Sequence, residues 1–335
     1  MTIADMARRV LDGELLRRPD ARELVRLGRA DPHDLLYWAH RIRSAHFGSA
    51  VKFCCIVPGK LGGCGEDCKW CAQSARCRAP AAGKTQRTST DAIRSAAQVA
   101  FSRGAACVGI VNSGRRPTRR DLQDVLAAIE SIRGDPQAGG IEICASLGEL
   151  AQDQAKTLAQ AGVVRYHHNL ETSRRFFPKV VTTHSYHDRL ATLRAAARAG
   201  MRICCGGLFG MGETWEDRID LALTLRDQVR PESLPLNFLH PIPGTALEAA
   251  RPLEPGDILA IIAVFRFLLP TTDLRLAGGR VTNLRDLQSW IFYAGGTSCI
   301  TGNYLTTAGR PAQQDAQMIR DLGLQLVTRW PVRPE

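Results

Sequence analysis

The sequence predicts an α/β fold of the TIM type, a (β/α)8 barrel. Three observations lead there. Eight short apolar runs rich in β-forming residues occur at 51–57, 106–111, 141–145, 164–168, 201–206, 234–239, 274–277 and 297–300. They alternate with longer segments whose apolar residues recur at helical spacing. No Ser-, Pro- or Gly-rich linker divides the 335 residues. Strand–helix alternation implies a parallel sheet, and eight units close a barrel of the usual ~250 residues with room for additions at both ends.

The elements read in order as follows. Residues 3–47 are helical, and a segment of 1–48 precedes a barrel of 49–310. The helix after the second strand carries Leu122, Val125, Leu126 and Ile129 on one face, with Asp121 in its first turn. The helix after the fourth strand carries Leu190, Leu193 and Ala197 and stops at Gly200. Residues 78–83 form a loop. After Arg310 a mostly helical tail, 311–335, completes the chain. Gly210-Met-Gly-Glu-Thr214 lacks the third glycine of a dinucleotide-binding loop and reads as a turn after strand five.

Composition narrows the class. Hydrophobic residues make up 44% of the chain, enough for a large core. No run of about 18 apolar residues occurs, and Met1 to Asp20 is charged throughout. The expectation is a cytoplasmic protein without a membrane partner. The net charge is +11, but the basic residues are scattered and sit largely on amphipathic helices, as with Arg189, Arg194, Arg198 and Arg202. A solvated basic surface is favoured over a nucleic-acid partner. Eleven cysteines without an export signal favour metal or redox chemistry over a disulfide framework.

Three of those cysteines lie in eight residues, Cys64-Gly-Glu-Asp-Cys68-Lys-Trp-Cys71. Three thiolates from one loop are one short of a closed cubane cluster or a closed zinc site. An open metal position is where chemistry happens. The C-x3-C-x2-C spacing, with Trp70 before the last cysteine, looks like the signature of radical S-adenosylmethionine (SAM) enzymes. The alternative is structural zinc with a fourth ligand such as His46 or Cys77.

Catalytic residues of such barrels lie at the C-terminal ends of strands. Polar residues at those positions are Asn112 and Arg115, Cys144 and Ser146, His168, Asn169 and Glu171, Cys204 and Cys205, Asn237 and His240, and Arg275 and Arg280. Among the other cysteines, Cys54 and Cys55 read as packing, Cys77 as free, and Cys205 and Cys299 as core. His33, His40, His184 and His187 read as surface residues. An arginine such as Arg275, if it faces the barrel interior, needs an anion.

The chain from about 51 to 323 resembles the biotin synthase family. The resemblance rests on Gly-Glu-Asp-Cys-Lys-Trp-Cys-Ala-Gln-Ser (65–74), Ser-Gly-Arg-Arg-Pro-Thr (113–118) and Tyr-His-His-Asn-Leu-Glu-Thr-Ser (166–173). It continues in Gly-Met-Gly-Glu-Thr (210–214), Leu-Asn-Phe-Leu-His-Pro-Ile-Pro-Gly-Thr (236–245), Leu-Arg-Leu-Ala-Gly-Gly-Arg (274–280) and Gly-Asn-Tyr-Leu-Thr-Thr-Ala-Gly (302–309). It implies a radical SAM barrel that inserts sulfur into dethiobiotin to form biotin. The implied cofactors are a [4Fe-4S] cluster on Cys64, Cys68 and Cys71, SAM, and an auxiliary [2Fe-2S] or other small cluster. The auxiliary ligands would be Cys144, Cys204, Arg275 and Cys107. Trp70, Asn169 and Glu171 would contact SAM, and Asn237 and His167 the substrate. No residue serves as acid or base; the cofactors carry the radical chemistry. The implied partners are dethiobiotin, an electron donor such as flavodoxin or ferredoxin, and a second copy in a homodimer.

This sequence departs from the family pattern at three places. Alignment on Ser113-Gly-Arg-Arg-Pro117 puts the family's remaining auxiliary cysteine at Gly109, two residues beyond Cys107. Two residues along a strand keep the same face but shift about 6.6 Å. A bulge at Gly109 would bring Cys107 closer. His167 stands where the family has a pocket asparagine, and Gly65 where it has proline. Two other readings remain open: a related radical enzyme, an isomerase or mutase without sulfur insertion, and a cluster- or zinc-holding RNA-binding protein.

Overall fold

The computed structural model describes residues 1–330; residues 331–335, the end of the predicted tail, lie outside the described residues. Eight parallel strands close on themselves: β1 (Ala50–Leu61), β2 (Ala105–Asn112), β3 (Glu142–Ser146), β4 (Val163–His167), β5 (Arg202–Cys204), β6 (Ser233–Phe238), β7 (Asp273–Leu276) and β8 (Ser298–Ile300). Pairing of Lys52 with Ser298 and of Phe53 with Cys299 joins β8 to β1 and shuts the barrel. All eight predicted runs are strands. β5 ends two residues before its predicted boundary, because the chain passes too close to β6 at Gly206. A Cβ there would lie 1.9 Å from the Pro235 carbonyl oxygen, so only glycine fits.

Short pieces add to the rim. Gln86–Arg87 pairs antiparallel with the end of β1, and Gly207–Phe209 pairs with β6. After it, Gly210 and Gly212 take positive φ, and the Glu213 carboxylate accepts from the Gly210 and Met211 amides. This is the predicted turn.

The helices outside the barrel start where the sequence marks them. Thr118, Ser185 and Thr214 each accept from the backbone amide of an Asp three residues later, and that Asp accepts from the cap's own amide. Each such cap contributes about 1 kcal/mol. The helical N-terminal segment consists of three helices, Ile3–Leu11, Arg18–Ala30 and Pro32–Phe47. The last packs on Pro255–Leu268, a helix buried over most of its length. That helix is apolar all round because it is covered on both sides. The tail helix, Ala312–Asp321, is pinned by a buried ion pair between Arg280 and Asp315, both fully buried.

Candidate active site

A cavity of about 340 Å³ opens at the C-terminal ends of the strands and runs down into the barrel. Its mouth is built by the cluster loop and its floor by strand residues. Trp70, Cys71 and Gln73 come from the loop; Asn169, Glu171 and Asn237 from strand ends; Tyr304 and Thr306 from the segment after β8.

The cluster loop is tied down by charge. Asp67 accepts from the Thr182 and Thr183 amides at 2.9 and 3.2 Å. Burial alone would raise this carboxyl, but the hydrogen bonds from Thr182 and Thr183 outweigh it and hold the carboxyl well below its usual range. Glu66 accepts from the Thr183 hydroxyl at 2.6 Å and pairs with His184. His184 is therefore not a surface residue as predicted: its side chain is 6% exposed. Its other ring nitrogen meets Arg189 at 3.0 Å, and Arg189 donates to the Asn169 carbonyl at 2.7 Å. One chain of contacts thus connects the loop to β4.

The three loop thiols share one environment. Burial pushes Cys71 up to about 11 and raises Cys68 further, while Arg189 works against the rise at Cys68. Unmetallated, Cys68 and Cys71 stay protonated. Soft thiolate donors of this kind suit iron–sulfur clusters, and binding would deprotonate them. Of the alternative zinc ligands, His46 is remote from the loop, by the lower end of the barrel beside Ala50 and Asp273, while Cys77 stays beside Cys71 with its thiol donating to the Ser74 carbonyl at 3.1 Å.

Next to the loop, Asn169 and Glu171 face the cavity. The Gly206 amide donates to Asn169 Oδ1 at 3.0 Å, and Asn169 Nδ2 donates to Glu171 at 3.3 Å. Glu171 holds φ 68°, a left-handed conformation rare for a non-glycine residue. Burial raises its carboxyl, offset by Arg189 and His167. Asn237 lines the cavity but its amide already bridges backbone: it donates to the Gly207 carbonyl at 3.1 Å and accepts from Gly278 at 2.9 Å. One N–H remains for a ligand.

The floor is where the structure departs most from expectation. Cys144, Cys204, Arg275, His167 and Gly109 all line the cavity. So does Cys54, where the sequence predicts packing. Cys54 and Cys107 are register partners on β1 and β2 and are joined as a disulfide, and both pack with Cys144. Gly109, not Cys107, is the register partner of Cys144. Cys107 sits one rung deeper, on the same inward face. Sequence periodicity put Cys54 and Cys55 on opposite faces but could not say which faced inward; Cys55 is half-buried and free. Cys205 and Cys299 are core residues, as expected.

Two guanidiniums flank these sulfurs. Arg275 is 4% exposed, faces inward and donates toward Cys204 at 3.9 Å. The anion it needs is already present: Asp273 accepts from it at 3.1 Å. From β4, Arg165 donates to Cys144 at 3.4 Å. His167 Nδ1 lies 3.3 Å from the Cys204 sulfur, and burial drops its ring to about 4, so it is neutral at neutral pH.

Other rim residues fall outside the cavity wall. His168 points away and is buried behind the barrel, Arg115 binds Glu149, and Arg280 lies under the tail. Ser146 and His240 do line the cavity. The sequence reading gives no site role to Cys54, Arg165, His184, Arg189 or Tyr304. Two-residue alternation from His167 could have found Arg165.

The comparisons with known proteins agree with this geometry. The Radical SAM superfamily model matches residues 60–225, and the Biotin and Thiamin Synthesis associated domain matches 235–325. The biotin synthase of Geobacter sulfurreducens is 45% identical over 320 residues, covering 95% of this chain and 96% of that one. That of Heliobacterium modesticaldum is 47% identical over 316 residues, covering 94% and 95%. Among solved structures, methylornithine synthase superposes with a TM-score of 0.80 at 19% identity, covering 98% and 97%. A maturase of the [FeFe]-hydrogenase superposes with 0.82 at 14%, covering 97% and 75%. The last two show the fold alone.

Proposed function

The chain belongs to the biotin synthase family, and from that premise we infer that it forms biotin from dethiobiotin by SAM-dependent radical insertion of sulfur. The observation that carries the reading is the two-tier cavity: one set of thiols at the mouth, a second set on the floor, and substrate-sized space between. When bound, the [4Fe-4S] cluster and SAM supply a hydrogen-abstracting radical, and the auxiliary [2Fe-2S]-type cluster supplies the sulfur.

The residues divide the work by height. Cys64, Cys68 and Cys71 hold the first cluster on a loop braced by Glu66 and Asp67. Asn169 and Glu171 bind the polar groups of SAM, and Trp70 covers the loop on the cavity side. Asn237 offers its free N–H to the ureido ring of dethiobiotin, with His167 below it. Cys144, Cys204 and Arg275 hold the auxiliary cluster, and the Cys54–Cys107 pair, once reduced, adds thiolate from the side where Gly109 has none. The walls between are apolar, Ile56, Leu208, Leu239 and Ile300; they exclude water from a reactive intermediate.

The electrons come from an acidic one-electron carrier such as flavodoxin or ferredoxin. Lys69, Arg76 and Arg78, exposed around the cluster loop, support this choice. Among the described residues no helix is long and apolar enough to cross a membrane; a cytoplasmic homodimer completes the proposal.

The test is an anaerobic assay with dithionite, SAM and dethiobiotin. The wild type should release biotin and 5′-deoxyadenosine. Cys68→Ala should fold normally and lose both products, since it removes one of three loop ligands. Deoxyadenosine without biotin from the wild type would overturn sulfur insertion in favour of an isomerase or mutase. Normal deoxyadenosine from Cys68→Ala would overturn the cluster assignment.

A further inference from the structure

Arg165 is a buried charge that the reading above leaves without a task. It sits on β4 in register with Cys144 on β3 and Arg202 on β5, and it is 1% exposed. A buried guanidinium is costly unless its donors are matched. Two of its donors have partners. Nη2 donates to Glu142 at 3.2 Å and to Glu232 at 2.5 Å. Nη1 donates to the Cys144 sulfur at 3.4 Å. Nε has no partner at all.

The carboxylates are themselves fixed. Arg202 donates to Glu142 at 2.7 Å and to Glu232 at 3.3 Å. The four charges form a closed clamp at the foot of β3, β4, β5 and β6, and the clamp holds the planar fork of Arg165 in one orientation. That orientation aims the fork up at the cavity floor, at a cysteine. Neutral thiols need no such partner. A thiolate within an anionic cluster does, and N–H···S contacts to ligating sulfurs together with nearby positive charge are among the levers that set a cluster's potential. Arg275 stands in the same relation to Cys204, braced by Asp273. The two guanidiniums approach the cysteine set from two non-adjacent strands, β4 and β7.

We propose that Arg165 is a positioning residue for the auxiliary site: its guanidinium, locked by Glu142 and Glu232, hydrogen-bonds the Cys144 sulfur and balances the negative charge of the cluster bound there. The proposal rests on the sulfur-insertion reading. It differs from that reading in naming a residue that ligates nothing and yet governs how firmly the cluster is held and how readily it is reduced.

The experiment compares wild type, Arg165→Gln and Arg165→Lys after anaerobic reconstitution. Three quantities are read: iron and sulfide per chain, the visible spectrum with the midpoint potential of the auxiliary cluster, and reductive SAM cleavage without dethiobiotin. SAM cleavage reports the mouth cluster and serves as the control for folding. Arg165→Gln should keep SAM cleavage within about twofold, lose most auxiliary iron, and show a more negative potential in whatever cluster remains, because a positive charge has gone. Biotin formation should fall at least tenfold. Should Arg165→Gln fail to fold, Arg165→Lys decides, since it keeps the charge but cannot span two carboxylates and a sulfur. It should bind the cluster with an altered spectrum and potential. Auxiliary iron, spectrum and potential matching wild type in the variant that folds would overturn the role of Arg165. A wild type with no auxiliary cluster would overturn the sulfur-insertion reading and this proposal with it.

Discussion

At the scale of single residues, the floor of the cavity differs from the family pattern by one exchange of place. The thiol expected at position 109 is absent, and the paired sulfurs of Cys54 and Cys107 lie below it. Gly109 has room for a side chain: a Cβ would meet Ile56 at 3.5 Å and Cys144 at 4.0 Å, ordinary contacts. Position 109 is therefore glycine without steric necessity. In a Cys54→Ala/Cys107→Ala background, auxiliary iron should fall severalfold, and adding Gly109→Cys should restore it. Iron and sulfide analysis checks this; no recovery with Gly109→Cys would show that position 109 cannot ligate. The cluster loop and its three cysteines were legible from spacing alone. Cys54 was not, because adjacent cysteines on a strand face opposite ways and only the barrel says which way is in. Arg275 was legible as an interior arginine, but its partner Asp273, two residues earlier on the same face, went unrecognised.

At the scale of elements, strand identities and order followed from alternation, and boundaries differed mainly where tertiary contacts intervene, as at Gly206. The tail shows what local pattern omits. Its helix is amphipathic on its own, but its attachment depends on Asp315 meeting Arg280, which also donates to Gln288 at 2.9 Å. Breaking one side of a buried pair leaves an uncompensated charge and costs about 3–5 kcal/mol. Asp315→Asn should lower the stability of the apo-protein by that order in a urea titration, and should loosen the adjoining 301–307 segment that carries Tyr304. A loss under about 1 kcal/mol would mean that the pair behaves as a solvated one.

At the scale of the whole molecule, acid sensitivity follows from carboxylates buried between elements. Burial alone would raise Asp121, but hydrogen bonds from Lys60, Thr118 and Arg87 bring it to about 2. Asp217 is likewise brought to about 2, against burial, by Ser173, Thr214 and Arg175. A folded-state value below the unfolded ~3.9 means that the folded form holds its proton less tightly. The stabilisation is complete above about pH 5 and drains away as pH falls through about 4 to 2. The melting temperature of the apo-protein should drop across that window, and Asp121→Asn should flatten the drop; an unchanged pH profile in that variant would refute the assignment. What the sequence by itself determined was the repeating βα unit, the helix starts, the loop of three thiols and the family to which they point. Each is written in residues near one another in the chain, where periodicity, capping and spacing act. The tertiary structure alone decided which of eleven cysteines meet, that Arg165 and Arg275 each reach a floor cysteine, and that His184 braces the cluster loop. Those contacts join residues 21 to 118 positions apart in the chain, and only closure of the barrel sets the inward faces and heights of the strand residues among them.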